Sequence, residues 1–226
     1  MTHRKEAGSL TVAEQTRYKN VINQMLANPS NPYGKLVTIH GDMSHDMHGM
    51  DATGTQRFLP WHRDYLLKFE RALQAIDPQV FLPYWDWTKS NLVPAWLNAF
   101  KPTVVIPGMG TLTVVRKTKI TKKVSVTAIM GKKDYTTFTD HLENGPHNHI
   151  HVQVGGAGGT MSQIPTAPAD PIFWMHHAQV DRLWSQWQAN NPGKNPALSG
   201  AAATLDPWSE KEKNVRSITA LGYAYV

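Results

Sequence analysis

Ten of the eleven histidines fall into two groups: His40, His45, His48 and His62 in the first half, and His141, His147, His149, His151, His176 and His177 in the second. Several lie in stretches with helical apolar spacing, so a fold that suits this chain must bring helices together along histidine-bearing faces. "FLPWHRDYLLKFERALQAIDP" carries His62, Leu66, Phe69 and Leu73 on one face, with a proline in its first turn and Asp-Pro at its end. "DPIFWMHHAQVDRLWSQW" opens with Asp170 as cap and Pro171 behind it. "HLENGPHNHIHVQVGG" reads as a third such helix, starting after Pro146 and closing at a glycine pair. "GKLVTIHGDMSHDMHG" reads as a helical segment ending near Gly49, followed by "MDATGTQR" as a polar loop; ahead of it, "SLTVAEQTRYKNVINQMLANPSNP" is a first helix stopped at Asn-Pro.

Histidines in this arrangement point to metal. His147 and His151 stand at i and i+4, which places their Cβ atoms about 5–6 Å apart on one helix face, close enough for both rings to reach one ion. His177 can supply a third donor, and the first half repeats the recipe with His62, His40 and one of His45 or His48. There is no cysteine, so disulfides, iron–sulfur clusters and thiolate sites are excluded and every ligand must be His, Asp or Glu. All-imidazole sets suit copper, zinc, iron or nickel, with copper(II) at the top of the affinity order. Zinc stays open, although dizinc hydrolases usually bring bridging carboxylates that this pattern lacks. The fold expected is mainly α: a four-helix bundle holding a paired-metal centre, with a small peripheral β-hairpin.

The formal charge of +6 is unevenly spread. No carboxylate occurs between Asp86 and Asp134, while Lys101, Arg116, Lys117, Lys119, Lys122, Lys123, Lys132 and Lys133 supply eight cations. Alternation of Val, Ile, Leu and Thr with Lys over 101–133 reads as a hairpin insertion whose edge lysines oppose aggregation; contact with an acidic surface or nucleic acid is the alternative. At 226 residues the chain suits one domain, 1–226. Its start lacks the apolar core of a signal peptide and no stretch suits a bilayer, so a soluble protein is expected, without membrane or nucleic-acid partners, monomeric or weakly self-associating, its compartment unspecified.

The blocks "FLPWHRDYLLKFERAL", "LPYWDWT", "HNHIHVQVGG" and "DPIFWMHHAQVDRLWSQW" resemble, in order, the signature blocks of the tyrosinases, the type 3 copper proteins that include catechol oxidases and hemocyanins. The resemblance runs from about residue 33 to the C-terminus. It implies two copper ions, dioxygen and a small phenol as partners, and hydroxylation of monophenols with oxidation of o-diphenols to o-quinones, the chemistry that leads to melanin. Catechol or o-aminophenol oxidation alone, and hemocyanin-like oxygen carriage, are the alternatives. By the same resemblance the first copper falls to His40, His48 and His62, and the second to His147, His151 and His177, since in the family the second histidine of the "HH" pair coordinates. His176 then becomes a buried neighbour of the ligands. The family's usual spacing would put a ligand at Thr53, so His48 is preferred as preceding an insertion, with His45 as the alternative; the thioether bridge some members make is impossible without cysteine.

Further roles follow from matched positions. Glu143 and Asn148 resemble the pair that holds a water accepting the phenolic proton; the plain alternatives are a helix-start carboxylate and a turn amide. Asp181, one turn after His177, is expected to orient a ligand imidazole or to pair with an arginine. Phe173 is expected in the core and pocket wall, and Met161 beside the substrate entrance. "LGYAYV" looks like the tyrosine motif closing the catalytic core, so the chain is expected to carry no C-terminal shielding domain and to act without proteolysis.

Overall fold

The computed structural model describes residues 1–226. Strand β1 (Thr2–Arg4) leads to α1 (Val12–Ala27), which begins at a capping box: the Thr11 side chain takes the Glu14 N–H and the Glu14 carboxylate takes that of Thr11. Helix α2 (Pro32–Gly41) carries His40 near its end. It stops eight residues short of the expected Gly49 because the Asp42 side chain takes the Ser44 N–H at 3.0 Å and starts a separate 3-10 turn, Met43–His45, closed by Asp46 in the left-handed region at φ 50°.

Helix α3 (Ala52–Gln74) starts earlier than the sequence suggested, with Asp51 as its cap, so most of "MDATGTQR" is helical and Pro60 sits in the helix interior rather than its first turn. A proline there cannot donate to the Gln56 carbonyl four residues back. Tyr135 repairs the loss, donating its hydroxyl to that carbonyl at 3.0 Å. Gly54 sets the loop before α3: a Cβ there would stand 1.8 Å from the His48 carbonyl oxygen, so only glycine lets the His48 loop lie against the first turn.

Strands β2 (Thr103–Ile106) and β3 (Gly110–Thr113) form the peripheral antiparallel hairpin, shorter than the alternation implied. Residues 114–126 do not pair with each other as strands. They are drawn onto the body through Lys117 N–H to the Val154 carbonyl at 2.7 Å, and through Arg116, which is buried, donates to Asp170 at 2.5 Å and to the Phe100 carbonyl at 2.7 Å, and also reaches the Leu97 carbonyl. One of the eight cations is thus an internal anchor, not part of a solvated face. The short α4 (Thr127–Met130) follows.

Helix α5 (Tyr135–Leu142) runs into α6 (Asn148–Gly155) through a π turn, Glu143–His147, that contains Pro146. The third histidine helix therefore does not open after Pro146; the chain is already helical, and the missing proline N–H is absorbed by widening the turn so that Asn148 N–H reaches the Glu143 carbonyl. Helix α7 (Pro171–Asn190) starts at the Asp170 cap. Strands β4 (Thr204–Leu205) and β5 (Glu210–Lys211) form a small pair, and β6 (Tyr223–Tyr225) lies parallel to β1.

Helices α2, α3, α5–α6 and α7 make the bundle, with α3 packed along α7. Phe69 and Trp174 stack across that interface, ring centres 3.8 Å apart, beside Tyr65 and Tyr33. A buried polar lock completes it: Arg63 donates to Asp181 at 2.5 Å, and Tyr223, at 2.7 Å, and Tyr225, at 2.5 Å, donate to the other Asp181 oxygen. Arg4, paired with Glu70 at 2.7 Å, stands 3.5 Å from the same oxygen, so both chain ends are tied to α3 and α7. No helix is long and apolar enough to cross a membrane.

Candidate metal centre

Four helix segments, α2, α3, α5–α6 and α7, and one loop carry the six imidazoles into the bundle. The ring of His40 lies 5.2 Å from that of His48 and 5.5 Å from that of His62; those of His48 and His62 are 5.3 Å apart. His147 stands 4.6 Å from His151 and 4.9 Å from His177, and His62 stacks on His177 at 4.4 Å, joining the two sets. His45 is elsewhere, stacked near Trp61 with its Nε2 3.7 Å from Asp42.

The outward nitrogens explain why the inner ones are free. Nδ1 of His40 donates to the Ile164 carbonyl at 3.0 Å, that of His62 to the Phe58 carbonyl at 2.8 Å, and that of His151 to the Met161 carbonyl at 2.8 Å. Nδ1 of His48 faces the Glu143 carboxylate at 3.3 Å, and that of His147 faces Asn148 Oδ1 at 3.1 Å. A ring nitrogen facing an oxygen carries the proton, so in all five the lone pair is on Nε2. Nε2 of His40, His48, His62 and His147 is buried without any partner, and Nε2 of His151 faces that of His177 at 3.2 Å. Buried polar atoms without partners are costly, and a cation coordinated by these lone pairs removes the cost.

Distance alone groups His40, His62 and His177 together, and His176 with His147, His151 and His177. Hydrogen bonding separates His176 from the rest. Trp87 donates its indole N–H to His176 Nδ1 at 3.1 Å, which places the His176 proton on Nε2 and leaves no lone pair facing the cluster.

Burial, reinforced by neighbouring imidazoles, pushes His40, His62, His147, His176 and His177 well below the usual histidine range; burial brings His151 down to about 4. At neutral pH these rings are uncharged, as metal ligation requires. Neutral nitrogen donors without sulfur or bridging carboxylate fit a dinuclear, type 3 copper centre.

Phe58 lies 4.8 Å from both His62 and His147, and Phe173 4.9 Å from His40 and 4.2 Å from His177, so apolar rings close the buried side. On the other side a cavity of about 270 Å³ opens among His40, His48, His147, Asn148, His151 and Met161. Met161 is itself buried and contributes both a wall and the carbonyl that holds His151. Glu143 is buried behind His48: Oε1 also takes the Gly49 N–H at 2.9 Å, and Oε2 has no partner. Asp181 touches no imidazole; its partners are Arg63, Arg4 and the two tyrosines.

The carbonyls of Phe58 and Ile164 and the indole of Trp87, none of them among the expected site residues, fix three of the rings. Phe58 was findable, standing four residues before His62 at the spacing of a helical back-bond. Ile164 and Trp87 come from distant segments and left no local signal.

A family model described as the common central domain of tyrosinase matches residues 30–106 and 110–190. A tyrosinase of Streptomyces glaucescens is 32% identical, covering 93% of this chain and 93% of its own length. A grixazone synthase of Streptomyces griseus is 27% identical over 85% of this chain and 86% of its own. Among solved structures, a functional unit of octopus hemocyanin superposes with a TM-score of 0.83 at 25% identity, covering all of this chain and 68% of that one.

Proposed function

Since the chain belongs to the tyrosinase family of type 3 copper proteins, we propose that it is a phenol oxidase that hydroxylates monophenols and oxidises the resulting o-diphenols to o-quinones. The carrying observation is the convergence of unpartnered imidazole lone pairs beneath an open cavity whose wall includes His48 and Asn148, with the unpaired Glu143 Oε2 buried behind His48. His40, His48 and His62 would hold one copper and His147, His151 and His177 the other. When bound, the pair supplies the redox chemistry with dioxygen.

The remaining work falls to side chains. Phe58 and Phe173 keep water from the buried side of the rings. The Nδ1 hydrogen bonds hold five of the six imidazoles, all but His177, in one tautomer and one orientation. A phenol entering the cavity must lose a proton whose ordinary pKa is about 10. Glu143 Oε2 and the Asn148 amide are the groups that hold a water to receive it. The same two residues orient His48 and His147, so proton acceptance and ligand orientation are shared by one pair. Oxidation of catechols alone is the competing reading, because it uses the same ligands without the ring hydroxylation.

The test is oxygen uptake by the copper-loaded protein with tyramine and with 4-methylcatechol. Quinone from both supports the proposal; quinone from the catechol alone makes it a catechol oxidase, and reversible oxygen binding with no turnover makes it a carrier. Glu143→Gln is expected to lower monophenol turnover about 10²-fold and catechol turnover much less, with copper content measured alongside because Glu143 also touches His48.

A further inference from the structure

Beside the cavity, and sharing Asn148 and Val152 with it, lies a second cleft of about 720 Å³. Its floor is the outer face of α6, and its far wall includes Lys122, Lys123 and Ile129. Asn148 and Val152 are one helical turn apart, about 5–6 Å between Cβ atoms, so the two spaces adjoin along one turn of α6. Val152 is 58% exposed, an apolar step from one to the other. His149, one residue from that edge, has its Nε2 buried in the cleft region without a partner.

The two lysines are unspent. Neither pairs with any of the carboxylates that hold other cations in the protein. No acidic residue occurs between Asp86 and Asp134, so none of their own segment can neutralise them. The segment is held where it is by Thr121 N–H to the Gln153 side chain at 3.2 Å and Val124 N–H to the Trp87 carbonyl at 3.4 Å, which keep the lysines beside α6.

We propose that this cleft is a subsite for a carboxylate carried by the substrate, Lys122 and Lys123 supplying the charge, so that the preferred substrates are phenolic acids with the carboxylate a few bonds from the ring. The proposal rests on the phenol oxidase reading. The ring occupies the cavity over the imidazoles, the linker crosses Val152, and the acid reaches the lysines. Two exposed cations give a preference of about 3- to 10-fold, lost at high salt, where the screening length falls to about 3 Å.

The experiment compares 3-(3,4-dihydroxyphenyl)propionate with its methyl ester on the copper-loaded protein and on the variant Lys122→Gln/Lys123→Gln. The expected result is a KM for the acid about 3- to 10-fold below that for the ester at low salt, equal values near 1 M salt, and an acid-to-ester ratio collapsing to about one in the variant. Equal KM values in the unaltered protein, or a ratio the variant leaves intact, would overturn the subsite while leaving the oxidase reading in place. Calorimetric binding of 3-phenylpropionate, which cannot be oxidised, gives a readout without turnover. If neither catechol is oxidised the oxidase reading fails, and this binding still decides the subsite: weaker binding to the variant supports it and equal binding refutes it.

Discussion

Acid should unfold the copper-free protein at a pH where most domains of this size are stable. The cause is the cluster itself. His40, His62, His147, His176 and His177 are held well below the usual range by burial and His151 is brought to about 4, whereas the same residues in the unfolded chain titrate near 6.5. Below about pH 6.5 the unfolded state therefore binds more protons than the native state, and stability falls as pH falls, by about 1.4 kcal/mol per pH unit for each ring kept neutral. Three such rings give about 4 kcal/mol per unit and six about 8, with His151 contributing only down to its own value near 4. Against a total stability of about 5–15 kcal/mol, the transition should fall between about pH 6 and pH 4.5. Urea denaturation of copper-free protein at several pH values, followed by far-ultraviolet circular dichroism and extrapolated linearly, measures the slope. Copper should shift the transition to lower pH, because each ligand must be unprotonated to bind. Burial raises the Asp170 carboxyl to about 6, which offsets about one of these rings in the same window; a net slope below about 1.4 kcal/mol per unit between pH 6 and 5 would therefore mean that no more than about two rings stay neutral, and would rule out a cluster held uncharged by burial.

Three further outcomes are expected. Asp181→Asn removes the charge that Arg63 and Arg4 share in the interior, which should cost about 3–5 kcal/mol and lower Tm by about 10 °C or more; a loss within the range of a surface change would show the lock to be dispensable. Tyr135→Phe leaves the Gln56 carbonyl without its donor opposite Pro60, so urea melts should show about 1–2 kcal/mol lost with copper binding unchanged. His48→Ala should reduce copper bound per chain while His45→Ala should not, as read by elemental analysis; the reverse pattern would hand the ligand role to His45.

The histidine-bearing helices were legible because each carries its own punctuation and periodicity. Asp170-Pro171 marks a start, and His62, Leu66, Phe69 and Leu73 mark a face. What the sequence hid was set by tertiary contacts. Pro60 reads as a helix start because proline is disfavoured inside helices; its interior position depends on a hydroxyl donated from Tyr135, far along the chain. Pro146 misleads in the same way, its missing N–H being absorbed by a π turn. The basic segment alternates like a strand, yet buried Arg116 ties its second half to Asp170 and the body of the protein, so the hairpin is short. At the site, the ring nitrogens can be inferred from spacing, but their tautomers cannot, because the fixing groups are the carbonyls of Met161 and Ile164, the Glu143 carboxylate and the Trp87 indole.

Copper counting combined with spin resonance decides whether two copper ions sit side by side among these imidazoles. Copper(II) ions that close together couple their spins, so the oxidised protein should hold two coppers per chain by elemental analysis with almost no copper(II) resonance signal. One copper per chain, or two with a full signal from isolated ions, would contradict that arrangement.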